Sequence, residues 1–217
     1  RIDIDSLTVE INGYTLTSTD VTNTDTFGKQ WQAAFTPTGL DTNVNDVSFQ
    51  IKSITDTAGN TEDTLTSFTT DNSQNRVRID VEKPTVKPES IRFSTFDTNN
   101  DDDDDSSRLL AKNDETIYLD FETNERIDSL TVEINGNTLT STDVKNSNSD
   151  GKSWQAAFTP TGLDTNVDSV SFQIKSITDT AGNTEDTLSS FTTDDSLTTV
   201  RIDVEKPDIG NILIVSS

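Results

Sequence analysis

The feature that most constrains this chain is that it repeats itself. Ser6 to Pro84 aligns with Ser129 to Pro207 at a constant offset of 123, without a gap and with 14 differences in 79 positions. Near-identical units in series normally build an array in which each unit contacts its neighbours and copy number sets the length. The differences cluster at 22–30 and 72–76, as expected of surface loops. On this period the chain divides into residues 1–83, a repeat lacking its first strands; 84–206, a complete repeat; and 207–217, the first strand of a following one. A fragment cut out of phase from a longer array reads this way.

Within a unit the apolar period is two. Ile117, Leu119 and Phe121 alternate with Tyr118 and Asp120, Leu130, Val132 and Ile134 with Thr131 and Glu133, Val170, Phe172 and Ile174 with Ser171 and Gln173, and Val200, Ile202 and Val204 with Arg201 and Asp203. Such runs make half-buried strands. Asn135-Gly136, copied at Asn12-Gly13, sits between alternating runs and predicts a tight type I′ hairpin, because both central residues need positive φ. Ile91–Phe96, Trp154–Phe158 and Leu188–Thr193 are further strand candidates, and no amphipathic helix is found. Seven or eight short antiparallel strands with polar turns predict an all-β protein built of two-sheet sandwiches in tandem. Trp154 with Phe158, and their copies Trp31 and Phe35, form either a sugar-stacking platform or part of a core, and a chain this poor in aromatics needs them in its core.

Composition narrows the chemistry. The 217 residues include 39 Asp+Glu against 16 Lys+Arg, a formal charge of −23, and no His, Cys or Met. Imidazole and thiolate nucleophiles, structural zinc sites and disulfides are therefore excluded, and any metal must bind through oxygen. A charge this negative repels phosphate backbones and anionic lipid surfaces, so nucleic acid is not an expected partner. No apolar run approaches the ~20 residues of a membrane-spanning helix, and no direct membrane insertion is expected.

Two acidic features are candidates for cation binding. The loop and strand-end carboxylates Asp179, Asp186, Asp203 and Glu205, with their copies Asp56, Asp63, Asp80 and Glu82, supply the hard oxygen ligands that calcium prefers. Acidic loop residues can equally be merely solvated. The run Asp97, Asn99, Asp101, Asp103, Asp105 sets oxygen ligands at alternate positions, like the start of an EF-hand or dockerin-type calcium loop. It departs from that pattern with Asp102 where Gly is usual and Arg108 where a closing Glu belongs. Either an open calcium site or a solvated charged loop fits it.

The loop Asp179 to Leu188, copied at Asp56 to Leu65, followed by a strand ending Val200 to Pro207, copied at Val77 to Pro84, resembles the bacterial Ig-like repeats of giant surface adhesins and biofilm proteins. Those families carry an Asp-x-Ala-Gly-Asn loop and close each domain with an Asp-containing strand running into proline; here that end reads Asp203-Val204-Glu205-Lys206-Pro207. The resemblance implies an Ig-like Greek-key β-sandwich. It implies calcium as the cofactor at loops and junctions, neighbouring repeats as partners, and an extracellular, cell-surface location.

The expected function is that of a non-enzymatic, calcium-rigidified repeat of an adhesin or biofilm stalk. Glycosidase chemistry at paired carboxylates such as Asp179 and Asp186 is the rival class, but it would have to be duplicated in a chain with no gathered cleft residues. Glycan or ice binding is a third class, and the Thr residues lack a regular array. A further alternative follows from the ends. A strand-deficient first repeat and an apolar C-terminal run, Ile209 and Ile212 to Val215, would suit a filament assembled by donor-strand exchange between copies.

Overall fold

A computed structural model of the chain describes residues 3–26, 28–63, 67–69, 77–95, 108–186 and 199–210. Two compact units form, Arg1–Glu82 and Lys83–Ser217. All regular elements among the described residues are strands. The first unit holds β1 (Ile4–Ile11), β2 (Tyr14–Thr15), β3 (Val21–Asn23), β4 (Trp31–Ala33), β5 (Ser48–Asp56), β6 (Thr61–Glu62) and β7 (Ser67–Thr69). The second holds β8 (Val86–Thr95), β9 (Arg108–Ala111), β10 (Ile117–Thr123), β11 (Ile127–Ile134), β12 (Asn137–Thr138), β13 (Val144–Asn146), β14 (Ser153–Phe158), β15 (Phe172–Asp179), β16 (Thr184–Glu185) and β17 (Thr199–Ile202). The strand candidate Leu188–Thr193 lies outside the described residues, as does Phe96 at the end of another.

The second unit has the two-layer plan that period-two sequences demand. One antiparallel sheet runs β13-β14-β10-β8, the other β12-β11-β15-β16. The alternation in β10 puts Ile117, Leu119 and Phe121 into the core while Tyr118 and Asp120 stay half-buried. Ile91 and Phe93 of β8 and Ala156 and Phe158 of β14 join them from the same sheet. Val132, Ile134, Phe172, Ile174 and Ile177 come from the other sheet. Phe93 and Phe172 meet edge to face at 5.4 Å, the arrangement that ring quadrupoles favour. Trp154 is half-buried and packs against this cluster.

The Asn-Gly hairpins form as the sequence predicts. Asn135 and Gly136 have φ of 48° and 76°, Asn12 and Gly13 of 49° and 84°, and each pair joins its long strand to a two-residue return. The long strands β11 and β15 carry register shifts at Ile127/Ser129 and Thr131/Val132, repeated in β1 and β5 at Ile4/Ser6 and Thr8/Val9. Bulges of this kind let odd-spaced residues, Ile127 with Val132 in β11 and Ile174 with Ile177 in β15, turn to the same core, where strict alternation would send them to opposite faces.

One pairing departs from the antiparallel expectation. β17 runs parallel to β9, pairing Thr199–Ile202 with Arg108–Ala111, and Asp203 donates its N–H to the Ala111 carbonyl at 2.8 Å. This fixes where the chain enters and leaves the unit. Val86, at the start of β8, pairs with Thr123 at the end of β10, while Ala111 leads through a turn at Lys112–Glu115 to Ile117 at the start of β10. Entry and exit therefore lie at opposite ends of β10, roughly 20 Å apart at about 3.3 Å per residue.

Candidate functional site

The site is built at the entry end, from the turn after β15 and the turn between β10 and β11. Asp179 closes β15 opposite Ile127 and is only 2% exposed. Its Oδ1 accepts the backbone N–H groups of Ala181 (2.8 Å) and Asn183 (2.9 Å), and its Oδ2 accepts the Asn183 side-chain amide (2.8 Å). The Asp-x-Ala-Gly-Asn sequence is thereby explained as local structure. Asp caps the two following amides, Gly182 takes φ of +96°, where a Cβ is strained, and Asn returns a side-chain donor to the same carboxylate. The first unit repeats the arrangement, with Asp56 accepting from Ala58 (2.9 Å), the Asn60 backbone (2.8 Å) and the Asn60 side chain (2.8 Å). The Asn60 side-chain amide, with the Asn60 backbone N–H behind it, holds Asp56 below the ordinary aspartate pKa.

Next to Asp179 stands a carboxylate that the sequence did not single out. Glu125 brings a carboxylate oxygen within 4.8 Å of one of Asp179. It is placed by the turn that Thr123 closes, where a fully buried hydroxyl donates to the Glu125 carbonyl at 2.6 Å. The same turn grips the entering chain. Asn124 donates its N–H to the Thr85 carbonyl (3.0 Å) and its Oδ1 accepts from the Thr85 N–H (2.7 Å). Lys83 reaches Glu185 of β16 at 3.6 Å. Two carboxylates this close repel by roughly 3 kcal/mol at an effective dielectric near 20, and a cation between them reverses the sign. With oxygen the only ligand type and backbone carbonyls in the same turns, the pair suits a hard divalent ion such as calcium.

The exit end is separate. Asp203 accepts the Glu205 N–H on Oδ1 (3.0 Å) and lies 3.9 Å from Arg201 Nη2, with Glu205 exposed. In the first unit Asp80 accepts the Glu82 N–H at 3.3 Å, and Asn43 Oδ1 accepts from Val81 at 2.7 Å, as Asn166 does from Val204 at 2.8 Å. Asp179 and Asp203 thus belong to opposite ends of the second unit and do not form one site within it. Asp186 and Asp63 are exposed beyond the two-residue strands β16 and β6, and Glu82 is exposed. Asp97, Asn99, Asp101, Asp103 and Asp105 lie outside the described residues.

A cavity of about 470 Å³ on the β8-β10-β14 face is lined by Lys87, Ser90, Asp120, Glu122 and Trp154. The indole N–H of Trp154 is buried with no acceptor, whereas its copy Trp31 donates to the Gly28 carbonyl at 3.1 Å. Comparison with protein-family models, curated proteins and solved structures found no match to this chain.

Proposed function

We propose that the chain is a structural repeat module of a large extracellular bacterial surface protein, an Ig-like adhesin or biofilm stalk, stiffened by calcium at its acidic loops and domain junctions. The observation that carries this reading is the placement of the chain's two ports. In the second unit the polypeptide enters beside Thr123 and leaves beside Ala111, at opposite ends of the sandwich. A unit ported in this way lengthens an array along its own axis when copied, and the sequence copies it at an offset of 123.

Calcium enters the proposal through chemistry. Glu125 and Asp179 place two carboxylates at the entry port, and the −23 charge of the chain raises the local concentration of any divalent cation. The test is thermal unfolding in calcium and in chelator. An ion that binds only the folded state at a tenfold excess over Kd adds about 1.4 kcal/mol per site, so the melting temperature should rise by several degrees. Superimposable melting curves would remove calcium from the proposal.

A further inference from the structure

The outer face of the β13-β14-β10-β8 sheet is ordered in rows. Cross-strand register sets Ser94, Tyr118 and Ala157 in one row, Arg92, Asp120, Gln155 and Lys145 in the next, and Lys87, Glu122 and Ser153 in the third. These positions face outward because Ile117, Leu119 and Phe121 take the core face of β10. Small residues alternate with large ones across the rows, Ala157 standing opposite Tyr118 and Ser153 opposite Glu122. Two hollows result. One of about 630 Å³ lies over Tyr118, Ala157, Gln155 and Lys145, and the other, the cavity of about 470 Å³, over Arg92, Asp120, Glu122 and Ser153. They adjoin at the middle row, where Asp120 of one lining accepts the Gln155 side-chain amide of the other at 2.9 Å. From Thr116, whose hydroxyl meets that of Thr159 at 2.8 Å, to Glu122 the groove runs about 20 Å at roughly 3.3 Å per residue.

The chemistry of the lining selects its ligand by elimination. Outward positions in the middle and third rows are all polar or charged, so a purely apolar ligand would leave them desolvated without partners. A strand from another protein would find side chains here and no free main-chain edge to extend. Lys87, Arg92 and Lys145 set three cations against the four carboxylates of the two linings, a near balance in a chain with 16 Lys+Arg against 39 Asp+Glu. Such a surface neither attracts nor strongly repels by net charge. What it offers is a half-buried aromatic ring beside a small floor, followed by fixed donors and acceptors in close rows. Asp120 fixes the Gln155 amide, and the Thr140 N–H holds Asp143 on the rim at 3.1 Å.

We propose that this groove binds a neutral oligosaccharide, with a sugar ring laid on Tyr118 over Ala157 and its hydroxyls bonded to Asp120, Gln155 and Lys145. The C–H face of a pyranose is apolar and suits the negative face of an aromatic ring, while each hydroxyl both gives and accepts a hydrogen bond and so uses carboxylate, amide and ammonium alike. The length of the groove fits a chain of sugars rather than one. The module would then hold glycan along its flank, in addition to the role proposed for its ends.

The groove uses neither Asp179 nor Glu125, so the test is run in chelator and its failure leaves the calcium reading untouched. Hexasaccharides of glucose, mannose, galactose and N-acetylglucosamine, with sialylated and sulfated oligosaccharides beside them, are titrated into the isotope-labelled 217-residue chain and followed by NMR. The expected result is saturable binding of a neutral hexasaccharide that shifts the resonances of Tyr118, Gln155 and Ala157. Ala157→Gln, which fills the floor and removes no ligand group, should weaken binding about tenfold or more at an unchanged melting temperature. Tyr118→Ser should weaken it about tenfold, and Tyr118→Phe should restore it. Lys145→Ala, at an exposed position, should also weaken it and gives a reading independent of the Ala157 variant's stability. Absence of binding by every neutral hexasaccharide overturns the inference. So does binding confined to the sialylated or sulfated probes, and so does binding that both Ala157→Gln and Lys145→Ala leave intact.

Discussion

Replacing Asp179 with alanine tests whether the Asp-x-Ala-Gly-Asn loop is a structural staple in its own right. The substitution deletes three accepted hydrogen bonds, two of them from backbone N–H groups of the same turn, at a position 2% exposed. Bonds to an ionised acceptor are worth about 1.5–3 kcal/mol each, and buried donors left without partners keep their desolvation cost. Relief of the repulsion from Glu125, roughly 3 kcal/mol, opposes that loss. The net expectation is a destabilisation of about 3 kcal/mol in chelator. For a unit of Lys83–Ser217, an unfolding entropy of roughly 2.1 cal/mol/K per residue turns this into a fall of about 10 °C in melting temperature. Urea unfolding of a Trp31→Phe background, in which Trp154 reports on the second unit alone, gives the number directly. Asp179→Asn should cost less, about 1–2 kcal/mol, since its carbonyl oxygen still accepts from both amides. A loss below ~1 kcal/mol for the alanine variant in chelator would refute the staple argument, because it would mean that the turn holds its shape without the carboxylate.

Two further outcomes follow from the same geometry. Glu125→Gln removes a carboxylate close to Asp179, so it should raise stability in chelator and shrink the calcium-induced rise in melting temperature, both readable in one set of thermal scans. Asp56 carries a lowered pKa whose first cause is the Asn60 side-chain amide. A depressed folded pKa contributes stability that is present above the ordinary value near 3.8 and is lost as pH falls through the lower folded value. Asn60→Ala should therefore move the Asp56 carboxyl titration, followed by NMR, back up toward that ordinary value; an unmoved titration would contradict the assigned cause.

Much of the fold is legible wherever the signal is local. The Asn-Gly turns need only the φ preferences of two residues, and the strands β10, β11 and β15 announce themselves by alternation. The loop at Asp179 is legible twice over, since it occurs in both copies. β9 is different. Its sequence Arg108-Leu109-Leu110-Ala111 has no alternation, Leu110 is 49% exposed, and its partner β17 lies some ninety residues on, so nothing local marks a parallel ladder. Glu125 escapes for another reason. The corresponding position in the first copy is Ile2, so the repeat offers no doubling to draw attention to it, and its role depends on a turn that brings it to Asp179 across the sheet.

The parallel β9–β17 ladder, together with ports at opposite ends, decides how the second unit answers a pull. Tension applied between Pro84 and Asp203 runs along β8 at one end and along β17 at the other, in line with the strands rather than across them. The ladders β8–β10 and β9–β17 are then loaded lengthwise, so that their hydrogen bonds resist together instead of opening one after another from an end. Antiparallel strands drawn apart from a shared end would unzip at low force. Here the last strand of the unit is laid beside β9 in the same direction, and rupture requires sliding a whole ladder at once.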